Sequence, residues 1–209
     1  MKKSETIKID GRLKRTYWIS IFAIVLPLVM SSCAAHIKVI SENENVNGTK
    51  TAVGTKENLD LLIVADNRFR SGKYAKATKL YTDLATKSAK EGDDVVMVQA
   101  LAMTARGHLK GSNTTKGLAW LQRAEKLATK DEPLGWSRDV GVRGRFEWKS
   151  GDKAKATATF YQMYDYCIQH DLFARAIDAA HMVAITGTPE EQIEWAYKGI
   201  KAAKLGNEE

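Results

Sequence analysis

Two stretches decide the fold: "RSGKYAKATKLY", Arg70 to Tyr81, and "KSGDKAKATATF", Lys149 to Phe160. Each begins with a basic residue and Ser-Gly, sets an alanine five residues beyond the glycine (Ala77, Ala156) and a ring nine beyond it (Tyr81, Phe160). Glycine suits a turn just past a helix end, where the backbone takes a positive φ and a Cβ is penalised. The Ala- and Lys-rich text after it favours a new helix. Two more glycines, Gly111 in "LKGSNTTKGLAWL" and Gly187 in "ITGTPEEQIEWA", complete a series spaced by 39, 40 and 36 residues. Helix-favouring runs of 15 to 18 residues lie between them. A period of this length, with a helix–turn–helix in each unit, predicts an all-α solenoid of about four antiparallel helical hairpins over residues 59–209.

Further residues fit that frame. Leu61, Val64 and Ala65 read as the apolar positions of the first helix, and Gly144 as the small-residue site of the first helix in the third unit. The second unit is the least regular: its turn reads as two residues longer, with Gly117 and Leu121 replacing the alanine and the ring. Pro133 and Pro189 each precede a helix-like run, where a missing N–H costs nothing. Thr188 before Pro189, with Glu190 and Glu191 behind it, makes a capped start. Gly206 ends the last helix.

The pattern Gly72, Tyr74, Ala77 and Tyr81, repeated as Gly151, Ala156 and Phe160, resembles the tetratricopeptide repeat (TPR). That resemblance implies that the first helix of each hairpin lines a concave, partner-binding face. Transferred onto this chain, the face holds Leu62, Asp66, Phe69 and Arg70 from the first unit, and Leu101, Ala105 and His108 from the second. The third supplies Arg138, Arg145 and Trp148, and the fourth Ile177 and His181. Apolar anchors mixed with Arg and His suit a protein or peptide partner, in particular an acidic or C-terminal segment.

The N-terminus reads separately. Residues 1–16 are polar and basic, and Tyr17 to Met30 carries no charge over 14 residues. A helix of that length covers about 21 Å, short of a hydrocarbon core of about 30 Å. Basic residues, a short apolar core and small Ser31 and Ser32 describe an export signal over residues 1–32. The segment "VMSSC" resembles the bacterial lipobox, which implies cleavage before Cys33 and lipidation of Cys33. Two or more acyl chains, each contributing about 0.8 kcal/mol per buried CH₂, hold a protein on a membrane stably. Ala34 lacks the aspartate that retains many such lipoproteins in the inner membrane, so the resemblance favours the outer membrane, facing the periplasm. Residues 33–58, ending in "SENENVNGTKTAVGTKEN", read as a flexible tether.

Charge narrows the class. The formal net charge is +7, but residues 1–32 hold six Lys/Arg and two acids, which leaves 26 basic and 23 acidic residues in the remainder. Such a balance offers no phosphate-tracking excess, and no nucleic acid partner is expected. No metal motif, phosphate-binding loop or glycine-flanked nucleophile occurs, so neither cofactor nor metal nor catalytic residue is expected. Cys167 and His170 stand three apart, yet Phe160, Met163, Tyr164 and Cys167 form one stripe at helical spacing, which assigns the thiol to the core. The expectation is a lipid-anchored scaffold or adaptor that is not an enzyme. The alternatives are an envelope enzyme using His108 and His181 across the groove, and a lipoprotein that chiefly self-associates.

Overall fold

A computed structural model describes residues 54–207, and the residues before it, with the export signal, Cys33 and most of the tether, lie outside the described region. The described residues form eight helices: α1 Lys56–Arg70, α2 Tyr74–Glu91, α3 Asp94–Lys110, α4 Thr114–Glu125, α5 Pro133–Lys149, α6 Lys153–Gln169, α7 Phe173–Thr186 and α8 Pro189–Leu205. They are joined as four antiparallel hairpins, as expected. Each helix packs on its successor, and the first helices also pack on one another, α1 on α3, α3 on α5 and α5 on α7. This serial stacking makes the array.

One turn design recurs. In Ser71–Gly72–Lys73, Gly111–Ser112–Asn113, Ser150–Gly151–Asp152 and His170–Asp171–Leu172 the middle residue is left-handed, with φ of 74°, 59°, 95° and 55°. The next N–H donates five residues back in each case: Lys73 to Arg68, Asn113 to His108, Asp152 to Glu147 and Leu172 to Cys167, at 2.8–3.1 Å. That bond satisfies a helix-end carbonyl and fixes the reversal. The second unit is therefore corrected: its turn is no longer than the others, and Ser112, not Gly111, is the left-handed residue. Counted from Ser112, Gly117 and Leu121 fall five and nine residues on, as Ala77 and Tyr81 do from Gly72.

The helices approach closely at their small residues. Ala77, Tyr81, Ala156 and Phe160 are fully buried, and Leu121 nearly so. A Cβ on Gly144 would stand 2.7 Å from Phe160 Cζ, and one on Gly117 would stand 2.7 Å from Phe146 Cζ. Apolar residues form two clusters, one around Tyr81, Leu101 and Phe146 and one around Phe160, Met163 and Trp195. Cys167 belongs to the second, fully buried, and burial pushes its thiol up to about 12. His170 lies against the Tyr166 ring, with centroids 4.1 Å apart and planes tilted by 36°.

Two features of α1 differ from expectation. Leu61 and Val64 are exposed, because the buried stripe runs through Asn58, Leu62, Ala65 and Phe69, and no earlier hairpin among the described residues covers their side. The helix also starts at Lys56, inside the segment read as tether. Thr55 caps it by accepting from Asn58 N, and buried Asn58 donates to Glu91 and Asp93, each at 2.9 Å. At α8 the expected cap is complete: Thr188 and Glu191 exchange side chain-to-backbone bonds, with Pro189 at the first helical position. No helix among the described residues is long and apolar enough to cross a membrane.

Candidate functional site

The first helices, with Tyr81 of α2 and Met163 of α6, line an open cavity of about 230 Å³. Three of its polar wall residues share one register position. Six residues before each left-handed turn residue stand Asp66 on α1, Arg106 on α3 and Arg145 on α5, and all three line the cavity. Because the turns share one geometry, the three helices end in equivalent places and the same helical face repeats. Arg138, one helical face position further back on α5, and Arg175 and Asp178 on α7 complete the polar lining, with Arg70 also among the lining residues. Phe69, Met103, Val142 and Met163 supply apolar wall.

Five arginines thus face two aspartates, a formal excess of three positive charges. Arg138 grips Asp66 with both arms of its fork, Nη1 to Oδ1 at 2.8 Å and Nη2 to Oδ2 at 2.9 Å. Tyr81 adds its hydroxyl to Asp66 Oδ1 at 2.5 Å. Burial raises the Asp66 carboxyl, but Arg138 and the Tyr81 O–H outweigh it and hold the group below the usual carboxylate range. The same burial, with Asp66 beside it, pushes the Tyr81 phenol upward. This pair ties α5 back to α1.

Arg145 ties α5 forward to α7. Its Nη2 donates to Asp178 Oδ1 at 2.6 Å and its Nη1 to the Gly141 carbonyl at 2.7 Å. Against burial, Arg145 and Arg106 bring the Asp178 carboxyl down to about 2. The two remaining deep arginines are in no ion pair among the described residues. Arg106 lays its guanidinium over the Phe69 ring at 5.0 Å, and its buried Nε has no hydrogen-bond acceptor. Burial and then Arg145 draw it down to about 10. Arg175 donates Nη2 to the neutral Gln99 Oε1 at 2.8 Å, and burial with Arg138 nearby draws it down to about 9. Both stay cationic at neutral pH.

Of the residues taken from the repeat resemblance, Asp66, Phe69, Arg70, Arg138 and Arg145 come together in this cavity. Leu62, Leu101 and Ala105 lie in the core. Ile177 is half-buried and packs against the second apolar cluster. Trp148 is exposed near the end of α5, and His108 is half-buried near the end of α3. His181 is exposed and within electrostatic reach of Asp178 and Arg145. Burial lowers both histidines, and neither lines the cavity.

Tyr81, Arg106, Arg175 and Asp178 are the ionisable lining residues that sequence reasoning missed. Arg106 was recoverable: counting back from Gly111 lands on Ala105, and counting from Ser112 lands on Arg106. Asn113, whose side chain caps α4 by accepting from Lys116 N, was the available sign that the turn centres on Ser112. Among the described residues no group of three or more His, Cys, Asp or Glu side chains could hold a metal ion. No protein-family model matches the chain, and no curated protein or solved structure matches it either.

Proposed function

We propose that the protein is a membrane-anchored, TPR-like scaffold of the cell envelope, lipidated on Cys33, which holds a partner protein or peptide through the face of its first helices. The observation that carries this reading is the cavity on that face, with its three-charge cationic excess amid apolar wall. Such a surface accepts an acidic segment and discriminates against basic ones. Serial stacking supports it as well, because an array of hairpins presents equivalent side chains from successive helices along one binding face. The lipobox resemblance supplies the address, at the outer membrane facing the periplasm.

The test uses the full chain in its native membrane. Crosslinked capture from wild type is compared with Arg70→Glu, a reversal at an exposed site that leaves the buried ion pairs intact. Loss of a specific crosslinked protein, with unchanged circular dichroism, is the expected result. An identical crosslinked set would remove the adaptor reading. Intact mass of the purified protein checks the anchor, which requires a chain beginning at Cys33 and carrying acyl chains. An unmodified Cys33 would remove it.

A further inference from the structure

We infer that the cavity binds a compact dianionic group, a phosphate monoester or two adjacent carboxylates, with Arg106 and Arg175 as the residues that hold it. The inference rests on the adaptor reading only in taking the same cavity as the binding site, and deepens it by naming what enters.

Three of the five cavity arginines are already engaged within the protein. Arg138 and Arg145 have carboxylate partners inside the protein, and Arg70 donates to Asn67 Oδ1. Arg106 and Arg175 are in no ion pair, although both line the cavity, and Asp178 acts on each only as a more distant charge. A cation withdrawn from water with no carboxylate in contact is costly, and each neighbouring guanidinium adds repulsion. An arriving anion relieves both. Two unpaired guanidiniums call for two negative charges, since a single charge would neutralise only one of them.

Shape narrows the choice further. A guanidinium presents its donors as a flat fork that matches two oxygens of a carboxylate or phosphate. The Phe69 ring lies under the Arg106 guanidinium and Gln99 holds one arm of Arg175, which limits the ordering each fork needs when the anion arrives. The buried Nε of Arg106 is a donor without an acceptor inside the protein. A volume of about 230 Å³ admits a head group of several heavy atoms and not a folded element.

The experiment uses the full chain, with inorganic phosphate, succinate and acetate as probes at pH 7.5 and ionic strength held constant with chloride. Calorimetry and thermal unfolding read the binding. Saturable one-to-one binding of phosphate or succinate, at least tenfold tighter than acetate, is expected. Arg106→Gln and Arg175→Gln should each weaken it at least tenfold, without lowering the unfolding temperature measured in chloride. Arg123→Gln, which alters a guanidinium over the Trp120 ring away from the cavity, should leave it unchanged. Binding of phosphate alone assigns a phosphoryl group, and of succinate alone a carboxylate pair. No binding above chloride, or binding indifferent to both cavity variants, overturns the inference. Anion binding with unaltered capture by Arg70→Glu would leave this site standing and remove the adaptor reading, and capture without anion binding would do the reverse.

Discussion

The first and third hairpins share a turn, an alanine and a ring at matched positions, yet they treat the cavity differently. In the first, Tyr81 carries a hydroxyl that reaches Asp66, and the residue seven before the turn glycine is Ala65. In the third, Phe160 has no hydroxyl, the matching residue is Gly144, and the ring lies against that glycine with Arg145 5.6 Å from its centre. The position six before the turn is Asp66 in one and Arg145 in the other. One backbone design therefore serves two ends. Packing is set by the small residue and the ring, and the charge of the cavity wall is set by the residue beside them.

The largest effect expected from breaking this comparison is at Asp66. Asp66→Ala leaves Arg138 half-buried without its partner, and urea unfolding should register a loss of up to about 3 kcal/mol. The equivalent change in the third hairpin, Arg145→Ala, leaves Asp178, which is more open to solvent, and should cost less.

The opposite side of α5 supplies the next contrast. Asp139 is buried, its Oδ1 has no partner, and burial with Glu125 opposite pushes the carboxyl up to about 7, Arg143 notwithstanding. Its folded value lies above its unfolded one, so native Asp139 binds the proton more tightly. Its contribution to stability is complete in acid below the unfolded value and is lost as pH rises through about 7. Asp139→Asn should remove that slope and stabilise the protein at pH 8 by on the order of 2 kcal/mol, measured as unfolding free energy from pH 5 to 8.

Gly144→Ala comes third. Its Cβ would meet the buried Phe160 ring at 2.7 Å, and overpacking of this kind costs about 1–3 kcal/mol, offset in part by the better helix propensity of alanine. Ala65 occupies the matching place beside Tyr81 without difficulty, so an Ala65→Gly change should cost less, about 1 kcal/mol, and chiefly through the backbone. Equal losses for the two would contradict the assigned register.

The smallest effect concerns the turns. Nothing lies within 4 Å of a Cβ added at Gly72, so Gly72→Ala tests backbone strain alone and should cost about 1 kcal/mol. Ser112→Gly should gain up to about that amount, because its left-handed φ is already in place. A loss on Ser112→Gly would reject the shared turn.

How far the sequence was legible follows from the same residues. Gly72 and Gly151 announce their turns because glycine is the cheapest residue at positive φ, and with the ring nine residues on they sufficed for the hairpin array. Ser112 and Asp171 adopt the same conformation without that signature, and the one-residue slip at Gly111 replaced Arg106 by Ala105. The fourth turn has no left-handed residue, since Gly187 is extended and Thr188 caps α8, so counting back from it reached Ile177 and His181 and passed over Asp178. Asn58 was read as tether because a polar side chain gives no local sign of burial. Its partners Glu91 and Asp93 lie 33 and 35 residues away.

The central claim is that one register position, repeated along three first helices, brings Asp66, Arg106 and Arg145 to a cationic cavity whose Arg106 and Arg175, in no ion pair, receive an anion. The most direct measurement is the ¹⁵N–¹H resonance of each arginine Nε during titration of the full chain with phosphate and with succinate. The account predicts that the Arg106 Nε–H shifts saturably with at least one of them and exchanges more slowly with water, while that of Arg123 stays in place. An Arg106 resonance that does not move, or all arginines shifting together in proportion to added salt, would contradict it.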